Sequence, residues 1–264
     1  MLKAGIGATL YGRPQRMTKL SVNVNKIATL RNTRSLGIPS VVRLSALALD
    51  AGADGITVHP RPDQRHIRPD DVTELAELVS KYAAAEYNIE GNPFHGLIEH
   101  CRRARPAQAT LVPDAREALT SNHGWNLAEL DAASRRALGG AIAGLHELGA
   151  RVSLFLDPVP ELMPMARELG ADRVELYTEP YAAATLAGRA AQSIATYAGA
   201  ARAARDEGLG LNAGHDLNLG NLRPFLEGVG AVDEVSIGHA LIADALELGM
   251  VETVRRYLAQ CRMA

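Results

Sequence analysis

From residue 19 onward the chain alternates between two hydrophobic patterns. In one, apolar and polar side chains take turns. In 19–25, KLSVNVN, Val22 and Val24 share one face while Ser21, Asn23 and Asn25 share the other, as the two-residue strand period requires. In the second pattern, apolar residues return at helical intervals. Val72, Leu75, Ala76, Val79, Tyr82 and Ala83 form such a stripe, opened by Pro69-Asp70-Asp71. The alternating runs predict strands at 19–25, 55–59, 87–90, 109–112, 152–157, 173–177, 209–213 and 234–237. Helical stretches separate them. Ser40 is placed to cap a helix that runs to Ala51 and stops at Gly52. Further helices are expected near 97–103, from Asn126 through Leu145, from Pro158 to about 169, at 189–207, at 218–227, and from the eighth strand to about 260.

Some of these units echo one another. AGADGITVHP at 51–60 and LGADRVELYT at 169–178 share one spacing of helix end, turn and strand, and LGARVSLFLD at 148–157 is a third version. Repeated strand–helix units point to a parallel sheet, and eight of them in a chain of 264 residues predict a (β/α)8 TIM barrel with extra short helices. The rival is a doubly wound open sheet. That architecture calls for more continuously apolar strands and a glycine-rich phosphate turn after the first strand, which the sequence lacks. Residues 17–264 are expected to form one catalytic domain, and 1–16 a poorly ordered extension. Gly5-Ile6-Gly7 lies in that extension without the strand–helix context of a nucleotide loop.

Candidate chemistry gathers where the strands stop. The strand at 55–59 ends in His59, and Pro60 and Pro62 prevent its continuation because neither has a donor for the ladder. Arg61, Arg65 and His66 follow at once. Arginine suits a phosphate or carboxylate through its planar fork, and histidine suits proton transfer near neutral pH. A barrel brings all its strand C-termini to one rim. There Asn23, Asn25, His59, Glu90, Asp114, Asp157, Glu175, His215 and His239 are expected to collect. Of the eight histidines only His100 and His146 fall in helical stretches, although His95 and His123 also suit plain solvated loops. Arg31 and Arg34, read as loop residues after the first strand, join Arg61 as candidate anion ligands. Gly214 and Gly238 would let backbone approach an anion closely. Lys26 suits an anion better than a Schiff base. The polar stretch 114–125 has the length of a lid. The same carboxylates and histidines could instead hold a divalent metal, or the arginines could serve a phosphosugar-binding protein without catalysis. No H-x-x-x-H or clustered aspartate motif marks a metal site.

Composition narrows the partners. A formal charge of −2 argues against a nucleic-acid groove or an anionic membrane surface. No apolar run approaches the ~18 residues of a membrane span. Two cysteines are too few for a disulfide framework, so the cytoplasm is the expected compartment.

LSVNVNKIATLRNTR, DAGADGITVHPRPDQRHI, YNIEG, ATLVPD, RVELYT, LNAGHDL and VSIGHA follow one another from Leu20 to the C-terminal part of the chain. Together they resemble the pyridoxine 5′-phosphate synthase family, with ITVHPRPDQRHI and NAGHDL the most specific. The resemblance implies a (β/α)8 barrel assembled into a homo-octamer. It implies a transferase-type, ring-forming enzyme of vitamin B6 biosynthesis that needs no metal or organic cofactor. The substrates would be 1-deoxy-D-xylulose 5-phosphate and 3-amino-2-oxopropyl phosphate. His59 and Glu90 would be proton acceptors, His215 the proton donor, and Glu175 the carboxylate that stabilises the transition state. Asn23, Arg61, His66 and Thr120 would bind the deoxyxylulose phosphate; Arg34, Gly238 and His239 would bind the aminoketone phosphate. The chain departs from the family pattern in three places. Asn25-Lys26 stands where many members have Asp-His, Asp216 where many have glycine, and Tyr177-Thr178-Glu179 where many have His-Thr-Gly. Asn25, Lys26 and Asp216 remain substrate-binding candidates, with Asp216 contributing its backbone amide because a carboxylate beside a phosphate is repulsive.

Overall fold

The computed structural model describes residues 18–118 and 120–262; the extension expected at 1–16 lies outside them. Eight strands, β1 (Lys19–Asn23), β2 (Gly55–Val58), β3 (Glu86–Gly91), β4 (Gln108–Leu111), β5 (Arg151–Leu156), β6 (Arg173–Leu176), β7 (Gly210–His215) and β8 (Glu234–Ile237), pair in parallel in chain order. β8 returns to β1, with Lys19 opposite Glu234, and closes the barrel. The helices form the outer ring: α1 (Asn25–Asn32), α2 (Val41–Asp50), α3 (Pro69–Val79), α4 (Ile98–Ala104), α5 (Ala132–Glu147), α6 (Leu162–Glu168), α7 (Glu179–Leu186), α8 (Ala190–Asp206), α9 (Leu222–Val229), α10 (His239–Leu248) and α11 (Met250–Arg262). The architecture is the predicted (β/α)8 barrel.

Strand alternation sorts the side chains into a dry sleeve and a polar interior. Leu20, Val22, Ile56, Val58, Ile89, Leu111, Leu154 and Ile237 are fully buried in the hydrophobic cluster between strands and helices. Each such aliphatic contributes about 1.5–3 kcal/mol by leaving water. The intervening strand positions are polar and bond to one another. Ser21 and Thr57 hydroxyls meet at 2.7 Å, Asn88 Nδ2 donates to Thr57 Oγ1 at 3.3 Å, and Thr110 Oγ1 donates to Asn88 Oδ1 at 3.1 Å. Gln108 on β4 donates to Glu234 on β8 at 3.3 Å, a bond that crosses the interior. Gly214 has to be glycine because a Cβ there would sit 2.1 Å from the Ser236 carbonyl oxygen. Its small size therefore serves the β7–β8 contact, a stronger constraint than the anion approach read from the sequence.

Several elements differ from expectation. Ser40 caps α2 as predicted, accepting the Arg43 N–H at 3.2 Å. Asn126 caps nothing helical: α5 begins after Asp131, whose carboxylate accepts the Ser134 N–H at 2.7 Å. Residues 126–130 form a turn instead. α7, opened by Pro180, was missed because its eight residues bury only Tyr181 and Ala182 and carry no apolar stripe. The expected single closing helix is two, broken by Gly249 at φ +81°, a conformation that favours glycine. Pro158 precedes α6 by a turn and does not begin it.

Candidate active site

A cavity of about 580 Å³ opens at the C-terminal ends of the strands. β1 and the first turn of α1 supply Asn23, Asn25 and Lys26; the segment after β2 supplies His59, Arg61 and His66. Glu90 and Glu175 enter from β3 and β6. His215 ends β7, followed by Asp216, and Gly238 and His239 begin α10. Thr120 reaches in from the stretch read as a lid. Of the residues to which the family resemblance gives a catalytic or substrate-binding role, Arg34 alone does not line this cavity; Arg31, Asp157 and Gly214, also read as rim or anion candidates, do not line it either. Arg34 is exposed on the segment beyond α1.

The arginines divide into three kinds. Arg31 is helical and buried, not a loop anion ligand. Its guanidinium grips Asp71, with Nη2 to Oδ2 at 2.8 Å, and donates to the His66 carbonyl at 3.1 Å. Asn32 Nδ2 donates to the same carbonyl at 2.8 Å, so the pair fixes the loop that carries His66. Arg61 is buried and ion-paired with Asp114 while donating to the Ala118 carbonyl at 2.8 Å. Arg65 donates to that carbonyl too, at 3.0 Å. Asp114 also accepts the Ser121 hydroxyl at 2.7 Å. These contacts pin the lid stretch over the mouth. Its far end is anchored by Trp125, whose N–H donates to the Phe155 carbonyl at 2.9 Å and whose indole donates to the Leu111 carbonyl at 2.9 Å.

Burial without matching partners sets the electrostatics. Burial pushes the His59 imidazole well below its usual range, and Arg61, His66 and Arg65 add to the effect. Burial therefore favours the neutral form of His59. Its backbone N–H donates to Asn25 Oδ1 at 2.9 Å. His66 is pushed down to about 4, by burial first and then by Arg61, Lys26 and Arg65. Its Nδ1 accepts the Ile67 N–H at 2.9 Å, leaving Nε2 to carry the proton. The carboxyls move the other way. Burial raises Glu175 to about 8, helped by Glu234. Glu90 rises well above the carboxylate range through burial, then through Glu175, Asp114 and Glu234; Asn23 Nδ2 donates to it at 3.3 Å. Glu175 Oε2 is buried without a hydrogen-bond partner. The mouth thus holds a neutral imidazole beside protonatable carboxyls, the acid–base poise expected of a catalytic site. Among the described residues no group of three or more His, Cys, Asp or Glu side chains is arranged to hold a metal ion.

Sequence reasoning missed part of the lining. Phe155 and Tyr177 stand edge to face at 5.6 Å and form an apolar wall, and Tyr177 meets the His215 ring at 5.6 Å. Counting by twos along β5 from Ser153 would have found Phe155, since alternate strand residues share a face. Ser121 and Ser236 also line the cavity and carried no local signal.

The family model for the pyridoxal phosphate biosynthesis protein PdxJ matches residues 20–263. The chain belongs to the PdxJ family. A relative in Albidiferax ferrireducens, a pyridoxine 5′-phosphate synthase, is 56% identical over 248 residues, covering 91% of this chain and 96% of the relative. Another pyridoxine 5′-phosphate synthase, from Porphyromonas gingivalis, is 51% identical over 244 residues, covering 92% and 99%. Solved barrels match far more distantly. Thiamine phosphate pyrophosphorylase from Pyrococcus furiosus aligns at TM-score 0.59 with 12% identity, covering 94% of this chain and 97% of that one. A tryptophan synthase structure from M. tuberculosis aligns at 0.63 with 13% identity, covering 95% and 94%. Those two share the barrel fold with this chain. No helix among the described residues is long and apolar enough to cross a membrane.

Proposed function

We propose that the barrel mouth condenses 1-deoxy-D-xylulose 5-phosphate with 3-amino-2-oxopropyl phosphate, giving pyridoxine 5′-phosphate, inorganic phosphate and water. The observation that carries this reading is the pairing of cations suited to phosphate with buried acid–base groups in one cavity, in a chain 56% identical to a pyridoxine 5′-phosphate synthase. The amine of one substrate attacks the ketone of the other, so the protein need not supply an amine. What remains is proton movement, loss of water as the imine and the ring form, loss of phosphate, and ring closure. His59, neutral and buried, takes protons; Glu90, from the neighbouring strand, takes and returns them; His215 donates from the β7 end across the mouth. Glu175 stabilises the charge that develops at the reacting centre. Asn23, Asn25, Lys26, Arg61, His66 and Thr120 hold the deoxyxylulose phosphate. Gly238 and His239, at the start of the ten-residue α10, offer backbone N–H groups and a helix dipole to the other phosphate, together with the Asp216 amide. The lid excludes water from imine intermediates.

The same reading takes residues 17–264 as one catalytic domain acting in the cytoplasm as a homo-octamer. Exposed Leu36, Leu186 and Leu246 suit burial between subunits. Light scattering on the purified chain tests the assembly. The reaction is tested by mixing both substrates with chelator-treated protein and assaying the product by fluorescence. Formation of pyridoxine 5′-phosphate is expected, and its absence sinks the reading.

A further inference from the structure

Asp216 follows His215 directly, and its side chain turns back onto it. Asp216 Oδ2 lies 2.5 Å from His215 Nδ1. The other ring nitrogen, Nε2, lies 3.4 Å from Thr120 Oγ1 and faces the cavity. Both residues are held in this arrangement. His215 has φ +46°, a left-handed conformation unusual for a residue with a Cβ. The Asp216 carbonyl accepts Asn221 Nδ2 at 3.3 Å and Asn218 Nδ2 at 3.4 Å, and Asn221 Oδ1 in turn accepts the Asn218 N–H at 2.7 Å. Tyr177 closes the other side of the imidazole, edge to face at 5.6 Å.

We propose that Asp216 is a positioning residue: its carboxylate accepts the His215 Nδ1–H, so Nε2 is the nitrogen that exchanges protons with substrate. The proposal rests on the reading of His215 as the proton donor and adds the group that orients it. Free imidazole can carry its proton on either nitrogen, and a carboxylate on one side selects the tautomer. With Nδ1–H committed to Asp216, the lone pair of neutral His215 points into the cavity. After Nε2 gains a proton the ring need not turn: the imidazolium still donates from Nδ1 to Asp216 and gives the Nε2 proton to the leaving oxygen. The same nitrogen takes and returns the proton, and no net charge is left behind.

The arrangement also answers the difficulty of a carboxylate beside a phosphate. The bond from His215 holds the Asp216 carboxyl below its usual range, and His239 contributes in the same direction. The negative charge is thereby directed at the imidazole, while the backbone amide of Asp216 remains a separate group.

The test uses the intact enzyme labelled with ¹⁵N-histidine, read by solid-state ¹⁵N NMR at neutral pH, with His215→Asn identifying the His215 signals. The protonated nitrogen is expected to be Nδ1 in the wild type. It should shift to Nε2, or to a mixture, in Asp216→Asn and Asp216→Gly. Steady-state kinetics on the same variants should show kcat reduced about 10–100-fold, the scale of losing an orienting partner, with little change in KM for either phosphate. Asp216→Glu, which keeps a carboxylate, should recover part of kcat. An unchanged tautomer in both Asp216 variants overturns the proposal whether or not His215 is catalytic. Full turnover by His215→Asn overturns the role of His215, and with it the kinetic half of the proposal, while the tautomer measurement still decides the positioning half. A KM increase with unchanged kcat assigns Asp216 to binding and also overturns it.

Discussion

The two ends of the barrel interior treat charge in opposite ways. At the N-terminal end, Glu86 is gripped by Lys19 and Arg151, Arg151 Nε donates to Gln108 at 3.0 Å, and Arg173 Nη1 donates to Asn212 at 2.8 Å. Burial alone would raise the Glu86 carboxyl, but those two cations hold it down at about 2. At the C-terminal mouth, burial raises the Glu90 and Glu175 carboxyls instead, with Glu175, Asp114 and Glu234 adding to the rise at Glu90 and Glu234 to that at Glu175. The same residue type is thus held ionised at one end and drawn toward the protonated form at the other. The difference lies in whether a cation answers its burial. Paired charges close most of the floor, where Glu234 is the exception, raised by burial although Arg173 lies 4.0 Å away, and the incompletely paired Glu90 and Glu175 gather at the rim.

The sharpest way to break this contrast is Glu90→Gln. A variant that keeps the shape and removes the base should lose ~10²–10⁴ in kcat, the usual worth of general acid–base help. Its Tm should stay level or rise, because a carboxyl is removed from a site crowded with others. Equal losses of Tm and activity would place Glu90 among the structural charges. The counterpart at the floor is Glu86→Ala, which leaves Lys19 and Arg151 facing each other across a half-buried site. A stability loss of about 2 kcal/mol is expected, between the values for exposed and buried pairs, with kcat nearly unchanged. Denaturant melts and steady-state rates measured together decide it.

The pH dependence of stability should have opposite sign at the two ends. Glu86 ionises in the folded state at about 2, below its ordinary 4.5, so its contribution is present above 4.5 and is lost as the pH falls toward 2. Glu175 is raised from 4.5 to about 8, so its contribution is present below 4.5 and is lost as the pH rises toward 8. Relative to wild type, Glu175→Gln should therefore gain Tm progressively between those values. A Tm difference independent of pH would mean that Glu175 is not held protonated. The smallest effect concerns Arg34, which belongs to neither end. If it binds the aminoketone phosphate, Arg34→Ala should raise that KM about tenfold, ~1.4 kcal/mol, at nearly constant kcat. An unchanged KM removes it from substrate binding.

The barrel was legible because its determinants are local. Val22 and Val24 against Ser21 and Asn23 state a strand period within one glance of sequence, and eight such runs fix the architecture. The residues gathered at the rim, from Asn23 to His239, were legible for the same reason: topology carries every strand end to one place. What escaped depends on distant partners. Nothing beside Arg31 announces Asp71, forty residues along, which turns a loop arginine into a buried clamp. The raised carboxyl of Glu175 comes first from its burial and then from Glu234, two strands away. The cap of α5 failed for a different reason. Asn126 and Asp131 are both competent caps, and only packing of the stretch between them selects one.

The pairing of β1 with β8 has a consequence for how the enzyme is made. Lys19 lies opposite Glu234, and Thr18 donates to the Val232 carbonyl at 2.9 Å, so barrel closure joins the first strand to the last across more than two hundred residues of chain. Contacts of such separation form only after a large loop entropy has been met, which makes closure a late event in folding. The mouth straddles that seam: Asn23 comes from β1, while His215 and His239 come from β7 and the segment beyond β8. A chain emerging from the ribosome can build much of its sleeve, but not its reaction centre, until the last strand is free to dock. Activity should therefore appear abruptly and last during refolding, after most of the helical signal has returned.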